Sequence, residues 1–231
     1  MGNGKFIVIE GIDGSGISTQ VELLRIWFKT KGLPAFITKE PTRSPIGGLL
    51  DGALQHRIKF RPEVMALLFT GDRLDHLENE IGPSLGKGDN VISDRYYLSG
   101  LAYQSIEVDL QWLRALNSAC PVPTLTIFLD VPVELSLERS GSDYWRSSDR
   151  SQLYEEEETR QRVRDNFLKI ISLLKDEGEK IQIVDGTGTA LEVSDRVRSV
   201  VADLFPGTSP QLPDAVLERL SAIHEISELF R

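Results

Sequence analysis

The sequence predicts an α/β fold, a doubly wound five-stranded parallel sheet with a helical lid and a C-terminal helical tail, and three observations predict it. Short β-branched runs alternate with stretches of helical spacing from residue 6 to residue 204. The first run leads at once into a glycine-rich loop and then a helix, the order of a phosphate-binding unit. Charged residues also follow strand-like runs, at the strand ends where ligands of open α/β sheets bind.

Phe6–Ile9 is a β-branched run between polar flanks, as in a strand buried on both faces of a parallel sheet. After the glycine loop, Val21, Leu24 and Phe28 recur at helical spacing until Gly32-Leu33-Pro34 ends the helix. Ala35–Thr38 reads as the second strand, 41–48 as a Pro/Gly-rich loop and Pro62–His76 as a helix. Asn90–Ser93 and Leu125–Leu129 are the third and fourth strands. Helical, lid-like material runs from 133 to about 176, with the lid at about 138–156. Lys180–Val184 is the fifth strand, and Leu191–Leu204 closes a domain spanning 1–204. The proline-rich stretch 205–213 reads as a linker. Beyond it Val216, Leu220, Ile223, Ile226 and Phe230 form the apolar stripe of an amphipathic helix over 214–231, to be packed on its own domain or on a sister subunit.

A chain of 231 residues is long enough for one sizeable core with an appendage. The net charge of -9 excludes broad binding to a nucleic-acid backbone but leaves room for a local basic pocket. The single cysteine, Cys120, excludes an intramolecular disulfide and fits a reducing compartment. No stretch reaches the roughly 18 apolar residues of a membrane span, and the chain enters a strand-like run without a leader-like segment. The expectation is a cytoplasmic protein without a membrane or nucleic-acid partner. His56, His76 and His224 lack metal-ligand spacing, so no zinc site is expected.

The chemistry begins in Gly11-Ile12-Asp13-Gly14-Ser15-Gly16-Ile17-Ser18-Thr19. The pattern G-x-x-x-x-G-K-[ST] is met at Gly11, Gly16 and Ser18 and broken at position 17. Glycines let backbone N–H groups turn inward around phosphate oxygens, and the helix N-terminus adds a favourable partial charge. Ser18 is suited to Mg²⁺. A lysine at 17 would reach the β- and γ-phosphates of a nucleoside triphosphate; Ile17 cannot. Losing one such cation costs about 2.7–4 kcal/mol of transition-state stabilisation, or roughly 10²–10³ in rate.

Four further stretches occur with this loop: Glu40–Ser44, Leu67–Arg73, Asp94–Gln104 and Leu129–Arg139. Together they cover roughly residues 5 to 204 and resemble the thymidylate kinase family of nucleoside monophosphate kinases. The resemblance implies ATP as phosphoryl donor, dTMP as acceptor, Mg²⁺ as cofactor and a homodimer. It places Asp13 at the acceptor's sugar, Arg43 and Arg95 at its monophosphate, Phe69 stacked on thymine, and Arg73 and Gln104 on the base. Ser99 joins this acceptor pocket, and Tyr103 walls off a ribose 2′-hydroxyl. The same resemblance gives Ser18 and Asp94 to Mg²⁺, residues 11–19 to the ATP phosphates and Asp185 to the loop lining adenine. Because position 14 is glycine, the chain resembles the branch in which lid arginines supply the cation; Arg139, Arg146 and Arg150 are the candidates, and spacing does not choose among them. Three readings of Ile17 stay open: a kinase partly compensated by those arginines, a nucleotide-binding regulatory relative, or a sporadic or engineered replacement.

Overall fold

The structure, a computed structural model, describes residues 4–140 and 150–220, with the side chains of 150–155 left out. Its sheet has five parallel strands in the order β2-β3-β1-β4-β5, formed by Phe6–Gly11 (β1), Ala35–Lys39 (β2), Asn90–Asp94 (β3), Leu125–Asp130 (β4) and Ile181–Asp185 (β5). Each starts within a residue of its predicted run and extends one or two residues further toward the ligand-binding edge. The doubly wound α/β class is therefore the observed one.

Side-chain alternation divides the core in two. Ile7 and Ile9 of β1, with Ile92 and Ile127, face α1 (Ile17–Thr30) and α9 (Ala190–Ala202), where they meet Leu24, Trp27, Phe28 and Val197. Phe6 and Val8, with Val91 and Phe128, face α5 (Tyr97–Gln104) and α8 (Arg150–Asp176), where they meet Leu101 and Phe167. Burial of both faces is what a continuous apolar strand run specifies.

Between β2 and β3 the chain forms α2 (Pro45–Leu54) and α3 (Pro62–His76), followed by a π-turn over Leu77–Ile81 and α4 (Gly82–Lys87). α2 begins inside the stretch read as a loop, with Pro45 at its first turn and the Ser44 hydroxyl accepting from Gly47 N–H. α6 (Leu110–Leu116) precedes β4 and α7 (Val133–Arg139) follows it. The lid segment 141–149 lies outside them.

The proline-rich stretch expected to act as a linker is packed against the domain. Trp27 Nε1–H donates to Ser209 O at 3.1 Å, Arg198 to Pro210 O at 2.8 Å and Lys31 to Gln211 O at 2.9 Å. Leu212 is buried, and Val216, Leu217 and Leu220 of the helical residues 214–220 pack on the α1/α9 layer. Ile223, Ile226 and Phe230 lie outside the described residues.

Candidate active site

The glycine loop joins β1 to α1 and is shaped by two left-handed glycines, Gly14 at φ 77° and Gly16 at φ 94°. Gly16 precedes α1 with no side-chain cap, so the first amide groups of the helix stay open to a phosphate. A Cβ on Gly14 would lie 2.0 Å from the carbonyl oxygen of Ser136 in α7, so position 14 has no room for an arginine. Directly after the loop, Ser18 Oγ–H donates to Asp94 Oδ2 at 2.6 Å, across the ends of α1 and β3. Ile17 is 5 % exposed and packs among Val21, Val184 and Val193 while its edge reaches the cleft.

That cleft has a volume of about 650 Å³ and opens over the C-terminal ends of β1, β2 and β3. It runs from residues 12–19 to a pocket lined by Phe69, Arg73, Tyr103 and Gln104. Arg95, at φ 72°, folds its guanidinium back onto the loop. It donates to Gly11 O at 2.9 Å, to Ser99 Oγ at 2.9 Å and to Asp13 Oδ1 at 2.7 Å, and lies 5.5 Å above the Tyr103 ring. Tyr103 in turn accepts Asp13 N–H at 3.1 Å, and burial pushes its phenol up to about 12, so the hydroxyl keeps its proton at neutral pH. Asp13, Arg95, Ser99 and Tyr103 are thus brought together.

Glu10, which sequence reasoning missed, supports this group from beneath. Its carboxylate accepts Tyr96 N–H at 2.9 Å, Ser99 N–H at 3.2 Å and the Ser99 hydroxyl. Burial lifts the Glu10 carboxyl to about 7, against the lowering effect of the Ser99 hydroxyl and the Arg95 charge.

At the far end, Arg73 is 2 % exposed and its guanidinium is already paired. It donates to Glu40 Oε2 at 2.9 Å and to Asn117 Oδ1 at 2.6 Å. Glu40 also meets His76 Nδ1 at 3.2 Å, and His76 Nε2 lies 2.6 Å from Thr38 Oγ. His76, with no expected role, is therefore part of the support for Arg73. Asp72 holds the turn after the cis Glu40–Pro41 peptide by accepting Thr42 N–H at 2.8 Å and the hydroxyls of Thr42 and Ser44. The amide nitrogen of Gln104 is buried in this pocket without a hydrogen-bond partner.

Two expected cations sit elsewhere. Arg43 is exposed and does not line the cleft, because α2 starts beside it and directs the turn outward; Lys39, at the end of β2, does line it. Arg139 donates to Gly186 O at 2.9 Å and Gly188 O at 2.8 Å, which clamps the loop after β5 and commits its guanidinium away from the cleft. Asp185 starts that loop, where hydrogen bonds from Thr187 hold its carboxyl below the usual range. Arg146, and the side chain of Arg150, lie outside what is described. An arginine that was not anticipated, Arg160 of α8, pairs with Glu156 at 2.7 Å and reaches Ser140 Oγ at 3.0 Å and Asp13 O at 3.3 Å.

A family profile described as thymidylate kinase matches residues 9–197. The chain belongs to the thymidylate kinase family. It is 41% identical to a probable thymidylate kinase of Thermococcus gammatolerans over 74% of this chain and 84% of that protein. A probable thymidylate kinase of Pyrococcus abyssi is 38% identical over 86% of this chain and 96% of its own. The thymidylate kinase of Nitrosomonas europaea is 35% identical over 90% and 97%. For this thymidylate kinase relative, no helix among the described residues is long and apolar enough to cross a membrane.

Proposed function

We propose that the protein transfers the γ-phosphoryl group of ATP to dTMP, giving ADP and dTDP. The observation that carries this reading is the continuity of the cleft: one space joins the phosphate loop to a pocket with a stacking ring, a buried arginine and an unpartnered amide donor. Phosphoryl transfer asks the protein chiefly to position two nucleotides and neutralise charge. The amides of residues 14–19 face the donor phosphates, Arg95 meets the acceptor's phosphate, Asp13 its sugar and Phe69 its base. Arg73 and Gln104 supply N–H groups toward the base, and Tyr103 closes the sugar side. Arg43 is proposed for the acceptor's monophosphate, and Arg146 and Arg150 remain candidates for the cation at the transferring group.

Ser18 and Asp94 fit an Mg²⁺ ion, since their hydroxyl and carboxylate already meet at a strand end. Among the described residues no three His, Cys, Asp or Glu side chains cluster to hold a metal, so phosphate oxygens and water would complete the shell. When bound, the ion would supply positive charge against the donor phosphates. Exposed Val64, Leu67 and Leu74 on α3 support a homodimer buried along that helix, which sedimentation measures directly. The protein is read as cytoplasmic.

Ile17 favours a second reading, a slow or inactive nucleotide-binding relative. A coupled ADP-release assay with ATP and dTMP, beside Ile17→Lys, decides between them. The kinase reading expects dTMP-dependent turnover that rises with Ile17→Lys. It is lost if neither protein turns over dTMP or any other nucleoside monophosphate.

A further inference from the structure

We propose that Lys39 supplies, from the end of β2, the positive charge at the transferring phosphoryl group that position 17 of the phosphate loop lacks. This rests on the kinase reading above and adds a catalytic residue to it.

The placement follows from strand alternation. Ala35 and Ile37 of β2 face the α1 layer, whereas Phe36 faces the opposite one, so Lys39 shares the α1 side. In the β2–β3 register Ile37 is opposite Ile92 and Lys39 is opposite Asp94. In-register side chains of neighbouring strands lie on one face, about 4.8 Å apart. Asp94 is the residue that accepts the Ser18 hydroxyl of α1. Lys39 therefore rises beside the Ser18–Asp94 pair, and it lines the cleft together with Ser18 and Thr19.

Availability separates Lys39 from the other cations. Of the Lys and Arg residues lining the cleft, Arg95 is held by Gly11, Ser99 and Asp13, and Arg73 by Glu40 and Asn117. The Lys39 side chain is exposed and has no hydrogen bond or ion pair among the described residues. Arg160 has a carboxylate partner in Glu156 and does not line the cleft. Gly14 cannot be replaced by a longer residue while Ser136 O stands 2.0 Å from its Cβ position. A lysine on a flexible four-carbon stem is a mobile point charge, the chemistry that the loop position would have supplied.

In the transfer, an oxygen of the acceptor monophosphate forms a bond to the γ-phosphorus. The bond from that phosphorus to the β–γ bridging oxygen breaks, and ADP leaves with the electron pair. Lys39 stays protonated throughout; it neutralises equatorial oxygens and exchanges no proton.

The test uses the full chain with Lys39→Met, which removes the charge and keeps the stem, and the double variant Lys39→Met/Ile17→Lys. Turnover with ATP and dTMP is measured, and calorimetry gives the affinity for a non-hydrolysable ATP analogue and, separately, for dTMP. Lys39→Met is expected to lose about 10²–10³ in kcat. Its affinity for the triphosphate analogue is expected to fall about tenfold, with dTMP binding within about twofold of the parent. The double variant is expected to recover turnover toward the parent level. Unchanged turnover and analogue affinity in Lys39→Met overturns the proposal, as does a loss confined to dTMP affinity, which puts the ammonium at the acceptor phosphate. If the parent turns over no monophosphate, the kinase reading fails, and the analogue-binding arm still decides for or against Lys39 at the donor phosphates.

Discussion

The two ends of the cleft handle charge in opposite ways. At the acceptor end Arg73 and Arg95 are fixed by protein partners before a ligand arrives: Arg73 within the Glu40–His76–Asn117 group, Arg95 against Gly11, Asp13 and Ser99. At the donor end the helix N-terminus is uncapped, Ile17 is apolar and the Lys39 side chain has no partner among the described residues. On the proposed reading, a guanidinium whose orientation is already set loses little freedom when it meets a base or a monophosphate. The donor end would instead leave open amides and a mobile ammonium to gather around the polyphosphate.

Three measurements can break or sharpen that contrast. The largest effect is expected at the acceptor end. Arg73→Ala leaves the Glu40 carboxylate, itself 4 % exposed, buried without its main partner, and should cost about 3–5 kcal/mol in denaturant unfolding. It should also abolish measurable dTMP affinity. A loss of stability below about 1 kcal/mol would mean that this end is not preorganised by the ion pair.

Next comes Glu10, beneath Arg95. Its folded pKa stands at about 7 against an ordinary 4.5, so between those values the folded state binds more protons than the unfolded one. This residue's contribution is therefore most favourable below about pH 4.5, declines as pH rises to about 7, and is flat above. The decline is on the order of 3 kcal/mol. Glu10→Gln should remove that fall from the stability–pH curve while keeping an acceptor for the Ser99 hydroxyl. An unchanged slope would show that the carboxylate is ionised throughout this range.

The smallest effect belongs to the donor end. Arg139→Ala frees the loop after β5, and should raise the KM for ATP about tenfold without moving the KM for dTMP. Equal changes in both constants would show that the two ends are not separable.

Much of this was legible in the sequence. The five strands were readable because parallel strands covered on both faces are continuous β-branched runs, and their starts fell within a residue of the observed ones. The short helices α2, α4, α5 and α6 were not identified. α2 hid within a run of proline and glycine, and α5 and α6 are too short for periodicity to register. In the site, Asp13, Ser18, Phe69, Asp94 and Arg95 were found because they lie in contiguous motifs. Glu10, Glu40, His76 and Asn117 act by meeting across long sequence separations, which a linear pattern does not record. Lys39 carried a readable signal, a charge at the C-terminal end of a strand beside the phosphate loop, but the missing lysine at 17 drew attention to the lid instead.

The tail has a consequence that is optical. Trp27 is fully buried, its indole N–H ends on Ser209 O, and Phe28 and Phe205 stand edge-on around it at 5.2 and 6.4 Å. Trp27 also belongs to α1, the helix that begins at the phosphate loop. Release of the 205–220 stretch would wet that ring and remove its hydrogen-bond acceptor. With Trp112 and Trp145 replaced by Phe, emission from the remaining indole would report whether the tail stays docked on α1 when nucleotide is added.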